Sequence, residues 1–202
     1  MRSRETEATV PFSVQLEKWL SGKEDKTLSS LSNVFGEKSF AVVFLVLMSI
    51  PALPLPTGGL THVFEIITML LALELVIGRT TIWLPERWKN KKLGRKTREK
   101  ALPSIIKRVK WFEKFSRPRL SKLMKSRAVA SIMGLVIFGL ALSAFLAPPF
   151  SGLDTLPSLG VVFIALGIIL EDIVGAFVGL VTGLVGIALI LFLGTALTKL
   201  LF

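Results

Sequence analysis

The stretch Ser49-Ile-Pro-Ala-Leu-Pro-Leu-Pro-Thr-Gly-Gly-Leu-Thr-His62 breaks any helix that enters it, yet it lies between two strongly apolar runs. Pro51, Pro54 and Pro56 each remove a backbone donor and clash with the turn before them. Lipid offers no hydrogen-bond partners to the groups so freed. At membrane depth such a loop must therefore be buried in protein or line a wet cavity. Any fold of this chain has to shelter it, so function is sought there first.

The surroundings are those of a membrane protein. Of 202 residues 51% are hydrophobic and the mean hydropathy is +0.65, too apolar for an ordinary soluble domain. With no cysteine and a single histidine, His62, neither a disulfide framework, a thiolate site nor a multi-histidine metal cage is expected. The net charge of +11 would suggest nucleic acid in a soluble chain. Here 18 of the 25 Lys and Arg fall between Arg79 and Arg127, joining two apolar regions. A cytoplasmic linker that meets anionic lipid headgroups fits that placement better, and no nucleic-acid partner is expected.

In order, residues 1–38 read as a cytoplasmic segment with short amphipathic pieces carrying Phe12, Leu16, Trp19 and Leu20, then Leu28, Leu31 and Phe35. No signal peptide is recognised. Residues 39–78 form a first broken hairpin. Ser39 to Ile50 rises only about 18 Å, so either the helix starts earlier, near Leu31, or it is a half-helix entering the loop. Leu60 to Gly78 is long enough to span. Residues 79–127 hold a basic amphipathic run in which Ile105, Ile106, Val109, Trp111, Phe112 and Phe115 alternate with cations, and which is expected to lie on the membrane. Residues 128–202 form a second broken hairpin, with a break from Ala147 to Ser158 and a turn at Glu171-Asp172, and a last helix carrying Gly175, Gly179 and Gly183. That glycine stripe admits a close helix partner, inside the chain or in a second copy. With so few helices to enclose a pathway, a homodimer is expected.

A shift of 97 positions lays Pro51 on Pro148, Thr57 on Asp154, Thr61 on Ser158, Glu74 on Glu171 and Gly78 on Gly175. The order of apolar helix, proline break, polar start, spanning helix and acidic end is kept, as in a duplicated hairpin. The fold class expected is thus all-α integral membrane, with two repeated proline-broken helical hairpins plus a C-terminal glycine-striped helix. Because the linker is cytoplasmic, the repeat should be parallel.

Leu53-Pro-Leu-Pro-Thr-Gly-Gly59, Gly78-Arg79 with Trp83-Leu-Pro85, Arg117-Pro-Arg119, Pro149-Phe150, Leu156-Pro157 and Ala165-Leu-Gly167 together resemble the ExoD family of bacterial exopolysaccharide-synthesis proteins. The likeness runs from about Leu28 to Leu197, with Glu74 standing where the family commonly carries Gln. It implies a multi-pass inner-membrane protein affecting exopolysaccharide production, and it supplies no chemical mechanism.

Glu65 is the sharpest candidate for chemistry. It lies about 8 Å into its helix, where an ionised carboxylate is costly unless paired or hydrated. Thr61, Glu65, Thr68 and Ala72 share one face, and His62 stands three residues before Glu65. Thr57 and Asp154 with Thr155 precede the two spanning helices, as plain caps or as helix N-termini converging on a ligand. Gly58 and Gly59 would let a ligand approach the backbone, and Ser158 repeats Thr61. Glu74, Arg79, Glu171 and Asp172, near the cytoplasmic ends, form salt bridges or a gate. No nucleotide-binding glycine motif, Ser-His-Asp set or acidic metal motif is recognised, so neither catalysis, a cofactor nor a metal is expected. The function expected is transport of a small polar, amino-acid-like solute between the two breaks, the alternative being a non-catalytic scaffold of exopolysaccharide synthesis.

Overall fold

The computed structural model describes residues 10–22, 25–54, 59–83, 91–116, 124, 126–148 and 151–201. Eight α-helices account for most of them. Helix α1 (Phe12–Ser21) follows Pro11, and α2 (Leu28–Phe35) starts in a capping box, Thr27 Oγ1 accepting from Ser30 N–H and Ser30 Oγ from Thr27 N–H. Gly36, at φ +55, turns the chain into α3 (Glu37–Met48). The first apolar segment therefore starts after Gly36 and is a half-helix of 12 residues. The Ser49 hydroxyl donates to the Leu45 carbonyl at its end, just before the prolines.

Helix α4 (Leu60–Val76) follows the break. A π turn (Thr97–Ala101) leads into α5 (Leu102–Glu113). Ser126 Oγ accepts from Val129 N–H at the start of α6 (Arg127–Leu146). Helix α7 (Thr155–Leu170) ends at Glu171, whose left-handed φ of 53 makes the tight turn into α8 (Ile173–Leu201). The acidic turn expected at Glu171-Asp172 is therefore where the chain reverses.

Four helices form a ring in which α3 packs on α4 and α7, and α6 also packs on α4 and α7. Helix α8 lies along α7 and touches α6. In lipid the hydrophobic effect does not drive helices together, so closeness of packing must hold the ring. Small residues supply it. A Cβ on Gly134 of α6 would stand 3.0 Å from Ala72 O and Val76 N of α4. On Gly179 of α8 it would stand 2.6 Å from Gly160 O and Ile164 N of α7, on Gly175 3.3 Å from Gly167 Cα, and on Gly183 against the Leu140 side chain of α6. The glycine stripe is thus occupied within the chain and gives a second copy nothing to grip.

Arg127–Leu146 and Ile173–Ala196 are long and apolar enough to cross a membrane, and only 28% and 22% of their most apolar stretches are buried. Ile132, Leu135 and Leu142 on α6 and Phe177, Val181 and Val185 on α8 face outward, a surface too apolar for water. The chain is a membrane protein.

The amphipathic pieces behave differently from expectation. Phe12, Leu16 and Trp19 of α1 and Leu102, Ile105, Ile106 and Val109 of α5 are buried in one core with Phe40, Phe44 and Met48 of α3. Most of the apolar face expected to lie in headgroups is spent on protein, and only Trp111 and Phe115 stay outside among Lys107, Lys110 and Lys114. An amphipathic pattern demands an apolar neighbour without saying whether it is lipid or helix.

Candidate functional site

Near the proline breaks the ring helices α4 and α7 bury polar side chains. On α4, Thr61, Glu65, Thr68 and Ala72 are all buried, Glu65 with 0% of its side chain exposed. Their shared helical face leaves them no other direction once Val63, Ile66, Ile67 and Leu70 face outward. Across the ring, Ser158 of α7 is equally buried, and Thr155 stands one turn before it.

His62 Nδ1 lies 2.8 Å from Glu65 Oε2, and the ring keeps 25% of its side chain exposed. It leans edge-on against Phe145 of α6, ring centroids 5.1 Å apart. In the sequence nothing marks Phe145 beyond its place in the last turn before Pro148. Asp154 precedes α7, close enough to His62 and Glu65 to feel their charges. Its side chain makes no cap bond to the helix. Burial holds the Asp154 carboxyl above the ordinary aspartate range, against the neighbouring backbone N–H groups and His62, which pull it down. The two breaks thus contribute to one neighbourhood.

On α4 and α7, Glu65 Oε1, Thr68 Oγ1, Thr155 Oγ1 and Ser158 Oγ are buried with no hydrogen-bond partner. Leaving such a group unsatisfied costs about 1–3 kcal/mol, so four of them on two helices of one ring need a reason. Gly59 shows no close approach; it caps α4 in an ordinary right-handed conformation with open space where a Cβ would stand. Thr57 and Gly58 lie outside the described residues.

The acids at the other end are engaged in contacts. Glu74 Oε2 accepts from Trp83 N–H at 2.6 Å, and the Arg79 guanidinium lies 6.0 Å from the centre of the Trp83 ring. Glu171 pairs with Lys38 at 2.8 Å, tying the end of α7 to the start of α3. Asp172 Oδ1 accepts from Val174 N–H and Oδ2 from the Ser116 hydroxyl at 2.8 Å. Glu74 sits about 13 Å along α4 from Glu65.

The family model described as "Exopolysaccharide synthesis, ExoD" matches residues 12–192. The chain is 30% identical over 166 residues to the uncharacterized protein slr1875 of Synechocystis sp., covering 80% of this chain and 74% of that one. It is 29% identical over 151 residues to protein ExoD of Rhizobium meliloti, covering 72% of this chain but only 61% of that protein's length. No solved structure matches.

Proposed function

The chain belongs to the ExoD family of exopolysaccharide-synthesis proteins, and within it we propose a permease for a small polar, amino-acid-like solute. The observation that carries this is the set of buried, unpartnered oxygens on α4 and α7, which includes Glu65 Oε1 of the His62–Glu65 pair. Unsatisfied polar groups inside a membrane bundle mark ligand and ion pathways. Hydroxyls and carboxylates suit an ammonium group, and the start of α7 suits a carboxylate.

The reading takes the two broken hairpins as repeats. Reciprocal packing supports this, since the first helix of each pair lies on the second helix of the other, α3 on α7 and α6 on α4. It further takes the protein to reside in the bacterial inner membrane, residues 1–38 and 79–127 being cytoplasmic and the basic face of α5 meeting anionic headgroups. Catalysis, cofactor and metal have no part in it. A homodimer would use outward faces such as that of Phe177 on α8 rather than the glycine stripe.

A second reading makes the protein a non-catalytic scaffold of exopolysaccharide synthesis. The exposed Trp111 and Phe115, their rings 5.0 Å apart, favour it as a docking face. Purified protein in liposomes separates the two. Uptake of a radiolabelled amino-acid mixture, lost in Glu65→Gln, supports transport. Silence, together with co-purification of polysaccharide enzymes, supports the scaffold and removes the permease.

A further inference from the structure

We infer that His62 and Glu65 form a proton relay, in which the partly exposed imidazole carries protons between water at the rim and the buried Glu65 carboxylate. The geometry is that of a two-step path. One ring nitrogen of His62 touches Glu65 Oε2 at 2.8 Å, a quarter of the side chain reaches outside, and Glu65 itself has no exposure. Phe145 fixes the ring edge-on, so the contact with Glu65 does not depend on a freely rotating side chain.

The step balances. A proton from water adds to Nε2 of a neutral His62 that carries its hydrogen on Nδ1, giving an imidazolium. The Nδ1 proton then passes to Glu65 Oε2. What remains is a neutral ring protonated on Nε2 and a neutral carboxylic acid, and the reverse sequence unloads it. A neutral acid is far cheaper in a buried bundle than a carboxylate, so loading removes a buried charge.

Among the described residues, the surroundings leave Glu65 no alternative partner of fixed charge. The charged groups near it are His62 on its own helix and Asp154 at the head of α7. Of the helices packed on α4, α3 carries ionisable residues only in its first turn, Glu37 and Lys38, and α6 only Arg127, all at the far end. Helix α7 has none within its length, and residues 49–59 and 147–153 of the two breaks contain none. With no lysine or arginine among the described residues near it to neutralise it, Glu65 changes charge only by binding a cation, and the histidine in contact with it delivers a proton.

For its purpose the relay rests on the permease reading, in which the proton becomes the coupling ion; its geometry does not. Infrared difference spectra of the full protein in nanodiscs, recorded across a pH titration, should show a protonated-carboxyl band that is absent from Glu65→Gln. In His62→Phe, which keeps the aromatic contact with Phe145, the band should persist while its hydrogen–deuterium exchange slows by roughly a hundredfold. Exchange as fast as in wild type, or a band unchanged in Glu65→Gln, overturns the relay. In liposomes, amino-acid flux should rise with an imposed pH gradient and fall in His62→Phe. Flux that ignores the gradient overturns the coupling and leaves the permease standing, whereas a working relay without flux removes the permease and leaves the relay.

Discussion

Gly160 on α7 and Gly179 on α8 meet backbone to backbone, so that a methyl group on Gly179 would come within 2.6 Å of the Gly160 carbonyl oxygen. Neither neighbour is a flexible side-chain end that could swing aside. Gly179→Ala is expected to destabilise the protein by about 1–3 kcal/mol, as overpacking does. Gly139→Ala, where nothing lies within 4 Å of the added methyl, should be neutral or stabilising by about 0.5–1 kcal/mol. Thermal unfolding in detergent compares them, and equal effects would show that α7 and α8 are not closely joined.

Ser158→Ala should separate stability from function. The hydroxyl is buried without a partner, so removing it should raise stability by about 1 kcal/mol. Amino-acid flux in liposomes should fall. A variant that is less stable, with flux unchanged, would mean the hydroxyl has a structural partner and no ligand.

Asp154 predicts a pH dependence. Its folded carboxyl holds a proton to higher pH than the unfolded one, because it is buried. The stability it lends is complete below the ordinary aspartate range and is lost as pH rises through the raised folded value. Asp154→Asn, which has no charge to bury, should escape that loss. The difference in Tm between variant and wild type should widen in favour of the variant as pH climbs, then level off; a flat difference would contradict the burial.

Asp172→Ala should cost about 1–2 kcal/mol by uncapping α8 and freeing the Ser116 hydroxyl, with Ser116→Ala costing less. Unfolding in detergent measures both. If the two variants cost the same, the cap at Val174 contributes nothing.

Much of the candidate site was legible because lipid permits so few alternatives. Thr61, Glu65 and Thr68 recur on one face of an apolar helix, and the cost of a carboxylate in hydrocarbon turned that face inward. The turn at Glu171-Asp172 was legible for the same reason, as the sole acidic break in a long apolar run. The neighbours were not. Phe145 is one apolar residue among many in α6, and only the fold sets it against His62. Likewise Ile105 and Val109 would read the same against lipid headgroups as against α3 and α7. The start of α3 turned on Gly36, whose positive φ ends one helix and begins another.

The glycines have a mechanical meaning. Gly134 seats α6 against α4, and Gly160, Gly175 and Gly179 seat α8 against α7, so the bundle is made of two stiff planks with the short α3 wedged beside them. Glu65 and Thr68 belong to one plank and Ser158 to the other. To separate either pair at its own seam is to pry backbone from backbone.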